Sequence, residues 1–117
     1  MPLTKEDVLK KMKEPAVVLL NVLPGKEYLK LNIKGSQSLP LGQNIRGFAA
    51  SAEKKYGKQT FFITYGADSG NSAGLNAAKI LLGKGLRADN YPGGVKEWSE
   101  AGLPLDGTEL SRPPLRR

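Results

Sequence analysis

A chain of 117 residues with 39% hydrophobic side chains, and no apolar run near the roughly 18 to 20 residues that cross a bilayer, fits one globular domain with a real core. Cysteine and histidine are both absent, which excludes disulfides, persulfide chemistry and thiolate metal sites, leaves no zinc site to expect, and removes the usual general base for a serine nucleophile. The formal charge is +7; residues 26 to 58 hold seven Lys or Arg against two acids, whereas residues 66 to 104 hold four of each.

The chain opens with Leu3-Thr4-Lys5-Glu6-Asp7-Val8, where Thr4 can cap a helix and Leu3 can staple onto Val8; Pro15 ends that helix, whose expected role is packing. No h-region or cleavage site follows Met1, so a cytoplasmic protein is the expectation. Ala16 to Val22 is uncharged and predicts a strand, and Pro24-Gly25 turns the chain into a short helix around Glu27 to Leu31. Pro40 and Gly42 mark a connection to a helix predicted from about Ile45 to Tyr56, with Phe48, Ala52 and Tyr56 on one face. Thr60-Phe61-Phe62-Ile63-Thr64-Tyr65 is aromatic, β-branched and uncharged, which predicts a strand buried on both faces. Gly66 to Asn71 are turn-formers. From Ser72 the apolar positions Ala73, Ala77, Ile80 and Leu81 fall at helical spacing. Leu86 to Tyr91 offers a further short strand, and Pro92-Gly93-Gly94 turns into a helix carrying Val95 and Trp98, which should be buried near Phe61 and Ile63. Strands separated by helical segments predict an α/β fold with a parallel sheet covered on both faces. Residues 1–106 form the expected domain and residues 107–117 an extended tail, whose Pro113-Pro114 flanked by arginines reads as a frayed end or as a short peptide ligand.

The strand, loop and helix from Thr60 to Leu82, together with Gly93-Gly94-Val95-Lys96-Glu97-Trp98 and Ala101-Gly102-Leu103-Pro104-Leu105, resemble the rhodanese-like domain, the fold of single-domain sulfurtransferases. The resemblance runs upstream through Leu20-Asn21-Val22, Glu27-Tyr28 and Ile33-Lys34-Gly35 and covers roughly residues 4 to 106. It implies a central, mainly parallel sheet with helices on both faces. In that family the residue after the Tyr65-type position is a cysteine that takes a sulfane sulfur as a persulfide while the loop amides cradle the anion. Here that residue is Gly66, and the arginine usual before the Ser72-type serine is Asn71. The Asp and Arg of the first strand end are Asn21 and Leu23, and the expected His is Asn32. Loss of nucleophile and charged partners together implies a scaffold without sulfurtransferase activity, needing no cofactor and no metal. Cysteine-less members of the family often serve as interaction domains, so a binding or regulatory module is the expected function.

The loop Gly66, Ala67, Asp68, Ser69, Gly70, Asn71 with Ser72 keeps two readings open. As an anion cradle it has small residues, a following helix N-terminus and the hydroxyls of Ser69 and Ser72. Asp68 opposes that use, since a carboxylate about 5 Å from a bound monoanion costs roughly 1 to 3 kcal/mol; pointing to solvent or capping the helix would remove the conflict. Otherwise the loop only connects strand to helix. A serine nucleophile lacks a base, because Lys79 lies about 10 Å from Ser72 at about 1.5 Å per residue. The glycines match neither a P-loop nor Gly-x-Gly-x-x-Gly. The candidate partners are therefore a small anion or a protein. Alternatives are an enzyme or carrier holding a phosphate- or sulfur-containing substrate without a covalent step, and a basic nucleic-acid-binding domain. Lys26, Lys30, Lys34, Arg46, Lys54, Lys55 and Lys58 supply most of the excess charge, but they are spread over several elements with no nucleic-acid motif, and solvated lysines that keep a small domain soluble are the favoured explanation. No membrane partner is expected.

Overall fold

In the computed structural model, which describes residues 2–42 and 45–111, the elements follow in the order α1 (Lys5–Lys11), β1 (Val17–Asn21), α2 (Gly25–Lys30), β2 (Asn32–Ile33), β3 (Gln37–Ser38), α3 (Ile45–Tyr56), β4 (Phe61–Tyr65), α4 (Ala73–Gly83), β5 (Arg87–Tyr91), α5 (Gly94–Glu100) and β6 (Leu105–Asp106). Four strands form one parallel sheet in the order β3-β1-β4-β5, and β2 pairs antiparallel with β6. The architecture is α/β, as the sequence predicts. None of the described helices is long and apolar enough to cross a membrane.

Strand alternation sends neighbouring side chains to opposite faces, which is why β1 and β4 have to be uncharged throughout. Leu19, Ile63 and Tyr65 join Val8, Ile33, Tyr91 and Trp98 on one face. Leu20 and Phe62 join Ala49, Ala52, Leu81, Leu86 and Ala88 on the other, where Phe48 and Tyr56 stand edge-on to Phe62 at 5.6 Å each. Thr4 caps α1 as expected: its hydroxyl accepts from the Asp7 N–H at 3.1 Å, and the Asp7 carboxylate accepts from the Thr4 N–H at 2.9 Å.

Besides shifts of one or two residues at the ends of β1, α2 and β5, three departures from expectation have a local reason. Thr60 precedes β4 instead of starting it, because its hydroxyl donates to the Tyr56 carbonyl at 2.7 Å and closes the turn after α3. The buried face of α4 is Gly74, Ala77, Ala78 and Leu81, leaving Ala73 and Ile80 half-buried. Gly74 sits so close to the sheet that a Cβ there would overlap Asn90 Oδ1 and lie 3.2 Å from Tyr65 Cα. The Thr64 hydroxyl donates to the Gly74 carbonyl at 2.6 Å and ties the helix down. Finally, the segment from residue 107 does not begin extended: Gly107 turns at φ 129° and Thr108–Ser111 forms a 3-10 turn against α2. Pro113-Pro114 and its arginines lie outside the described residues.

Trp98 is 1% exposed, packs edge-on to Tyr91 at 5.9 Å, has Val95, Phe61 and Ile63 in its cluster, and donates its indole N–H to the Pro104 carbonyl at 2.8 Å. Trp98→Ala should therefore destabilise the domain by about 3 to 5 kcal/mol in urea unfolding; a loss below about 1 kcal/mol would contradict the packing.

Candidate functional site

The loop between β4 and α4 is held from behind by α5. The Val95 N–H donates to the Gly66 carbonyl at 3.0 Å and the Lys96 N–H to the Ala67 carbonyl at 2.9 Å. Two donors of the first turn of α5, which has no side-chain cap, are thereby satisfied. Such contact requires Gly94, because it has φ 67° and a Cβ there would lie 2.6 Å from the Gly66 oxygen.

Within the loop, polar groups pair with one another. Asp68 Oδ1 accepts from the Gly70 N–H at 3.0 Å, the Asp68 carbonyl from the Asn71 N–H at 3.0 Å, and Asn71 Oδ1 from the Ala73 N–H at 2.9 Å. The bond that caps the start of α4 thus comes from Asn71. Asp68 closes a turn within the loop instead of capping the helix. Gly66 is buried, and a Cβ on it would stand 3.0 Å from Asn71 Oδ1. The Asn71 amide therefore occupies the space beside the position where the family carries its nucleophile. Ser69 and Ser72 are exposed, and the Ser72 side chain makes no capping bond.

Asn21, at the end of β1, lies opposite Tyr65 in the sheet and is fully buried. Its Nδ2 donates to the Tyr65 hydroxyl at 3.0 Å, while its Oδ1 accepts from the Leu23 N–H at 3.0 Å. The Tyr65 oxygen also accepts from the Ile33 N–H at 2.9 Å. Ser36 Oγ lies 2.7 Å from it and donates its own proton to the Ile33 carbonyl at 2.7 Å, so the Tyr65 hydroxyl is the donor to Ser36. Asn32 is buried beside this cluster but turns away, donating to the Tyr28 carbonyl at 2.9 Å. Leu23 is buried and apolar. The three altered family positions thus flank the strand end beneath the loop, where two asparagines and a leucine serve as structural groups. Sequence reasoning misses Tyr65 and Ser36; the one signal is a phenol closing an otherwise apolar strand, whose polar tip needs a partner once buried.

Burial lifts the Tyr65 hydroxyl above the ordinary tyrosine range, its hydrogen bonds to Ser36, Ile33 and Asn21 opposing this only in part. Tyr91 is raised as well, first by burial and then by the Glu97 carboxylate, which accepts its hydroxyl proton at 2.7 Å.

A shallow cleft of about 440 Å³ adjoins the loop, lined by Asp68, Ser69, Gly93, Lys96, Glu97 and Glu100. Three carboxylates against one ammonium make it acidic. A second cleft of about 380 Å³ shares Ser69, Gly93 and Glu97 and continues toward Pro2 and Leu3. Among the described residues no group of acids is placed to share a metal ion.

A model of the rhodanese-like domain family matches residues 4–101. Among solved structures, a Bacillus halodurans protein superposes with a TM-score of 0.79 at 19% identity, over 92% of this chain and 77% of that one. A rhodanese-like domain from Anabaena sp. gives 0.79 at 23% identity, over 99% of this chain and 86% of its own. A thiosulfate sulfurtransferase from Pseudomonas aeruginosa gives 0.76 at 22%, over 92% of this chain but 20% of that larger chain. At these identities the likeness is one of fold. The comparison with curated proteins found no match.

Tyr65→Phe leaves the Asn21 amide and the Ile33 N–H buried without their acceptor, and should cost about 2 to 4 kcal/mol in chemical unfolding. A tyrosine whose proton is held more tightly when folded contributes stability that is complete below about pH 10 and is lost as pH rises beyond it. The urea midpoint should therefore fall above about pH 10, and less steeply in Tyr65→Phe/Tyr91→Phe. An equal slope in the double variant would show that these hydroxyls are not the source.

Proposed function

We propose that this chain, which belongs to the rhodanese-like domain family, is a non-catalytic member that works as a binding or regulatory module. The observation that carries this reading is Gly66 at the nucleophile position with the Asn71 amide lodged beside it. Persulfide chemistry needs a thiolate that takes the sulfane sulfur from a donor and passes it to an acceptor. Glycine has no atom for the first step, and the chain has no cysteine elsewhere to replace it.

An anion in the loop without a covalent step is the second reading. Its support is the loop shape and the retained helix start behind it. Against it stand three features of the geometry. The Gly70, Asn71 and Ala73 amides already donate to Asp68 and Asn71 oxygens, the Arg of the family is an asparagine, and the adjoining cleft is acidic. Together these favour a macromolecular partner held outside the loop.

Purified protein should transfer no sulfur from thiosulfate to cyanide above a boiled control; turnover above that level would overturn the proposal. Gly66→Cys alone brings a thiol against Asn71 Oδ1 and should titrate near the free value of about 8.5. In Gly66→Cys/Asn71→Gly, with the oxygen removed and the Ala73 N–H released, the thiol pKa should fall toward about 7, read by the pH dependence of iodoacetamide alkylation. A single variant that is already acidified and turns over thiosulfate would show that the loop retains a working cradle.

A further inference from the structure

The basic excess of residues 26 to 58 is concentrated in part on the outward face of α3. The helix buries Ile45, Ala49 and Ala52 against the sheet and exposes Arg46, Gly47, Ala50, Ser51, Glu53, Lys54 and Lys55. At a spacing of four, Arg46, Ala50 and Lys54 form one row and Gly47, Ser51 and Lys55 the next. Cations thus stand at both ends of these two rows, with small residues between them, and Glu53 borders the rows on the Arg46 side. Ser51 does not protrude, since its hydroxyl folds back on the Gly47 and Phe48 carbonyls at 3.3 Å each.

Within the fold, Lys55 stands over the Tyr56 ring at 5.3 Å. Among the described residues the ion pairs are Lys5 with Glu6 and Lys30 with Glu27, and neither involves α3. Arg46 lies in the first turn, which holds no acid, where a cation opposes the positive helix end at a cost of about 0.3 to 1 kcal/mol. An arginine placed there against local stability, beside a smooth helix surface, fits an external anionic partner.

Geometry selects the kind of partner. Arg46 and Lys54 are eight residues apart, about 12 Å along the axis. A smooth middle lets a second helix approach to about 8 Å, the close end of helix packing. A polyanion of evenly spaced phosphates would gain nothing from an uncharged middle. We propose that the exposed face of α3 is a docking surface for an acidic α-helix of a partner protein, with carboxylates about two turns apart flanking small side chains. This rests on the reading of the chain as a binding module and gives that module its surface.

The test uses the full chain and a stapled helical peptide with an Ala-rich middle and Glu pairs two turns apart, followed by fluorescence anisotropy. Unstructured poly-L-glutamate, a DNA duplex and phosphatidylserine vesicles are the comparisons, and circular dichroism confirms that each variant is folded. Expected is binding of the helical peptide in preference to all three. Arg46→Glu/Lys54→Glu/Lys55→Glu should weaken it by about tenfold or more. Ala50→Gln/Ser51→Gln keeps every charge and should weaken it by a similar factor, about tenfold, by blocking close approach. The proposal is overturned if the Gln variant binds the peptide unchanged, if DNA or vesicles bind as tightly, or if nothing binds. Each of these outcomes leaves the non-catalytic reading standing, because that reading fails only on sulfur transfer.

Discussion

The Gly66 end of the loop that would carry the chemistry is fixed by backbone. The Gly66 and Ala67 carbonyls accept from the first amides of α5, and Gly94 makes the approach close enough for this to happen. No atom of a nucleophile takes part. These backbone contacts therefore do not depend on which side chain stands at position 66. On its other side, α4 is anchored through Thr64 and Gly74, with the Asn71 side chain capping its first turn. A fold held in this way is free to drift in chemistry, because stability and catalysis depend on different atoms.

At the end of β1 and β4 stands a set of satisfied polar contacts. Asn21, Ile33 and Ser36 converge on the Tyr65 hydroxyl, which accepts two hydrogen bonds and donates one. Buried polar groups are costly unless paired, and among the described residues no buried side-chain nitrogen or oxygen lacks a partner. The strand end below the loop has become part of the core. In the loop itself, Asp68 and Asn71 supply the oxygens that a bound anion would otherwise provide, and the acidic cleft alongside adds repulsion. Positive charge is concentrated on α3 and the segments before it.

Much of this was legible in the residues. The uncharged runs around Leu19 and Phe62 announced central strands because both faces are covered, and Gly93-Gly94 before Trp98 marked the start of α5. Position 66, together with Asn21, Leu23, Asn32 and Asn71, was found by resemblance. The rest escaped for physical reasons. Two-residue strands such as Asn32–Ile33 and Leu105–Asp106 are too short to show a period. The Tyr65 network joins residues 29 to 44 positions apart, a distance no local pattern spans. The buried face of α4 shifts onto Gly74 and Ala78 because the helix lies close to Tyr65 and Asn90, and this closeness is a tertiary fact.

A loop around Gly66 that is already filled by its own side chains has no room for an anion. An amide NMR titration of the full chain with phosphate, then with thiosulfate, measures this residue by residue. Saturable shifts should be absent from residues 66 to 73 in the native protein and should appear in Asp68→Gly/Asn71→Gly, where the Gly70 and Ala73 amides are released. Saturable shifts of those same residues in the native protein would contradict it, and would return the loop to use as a working anion site.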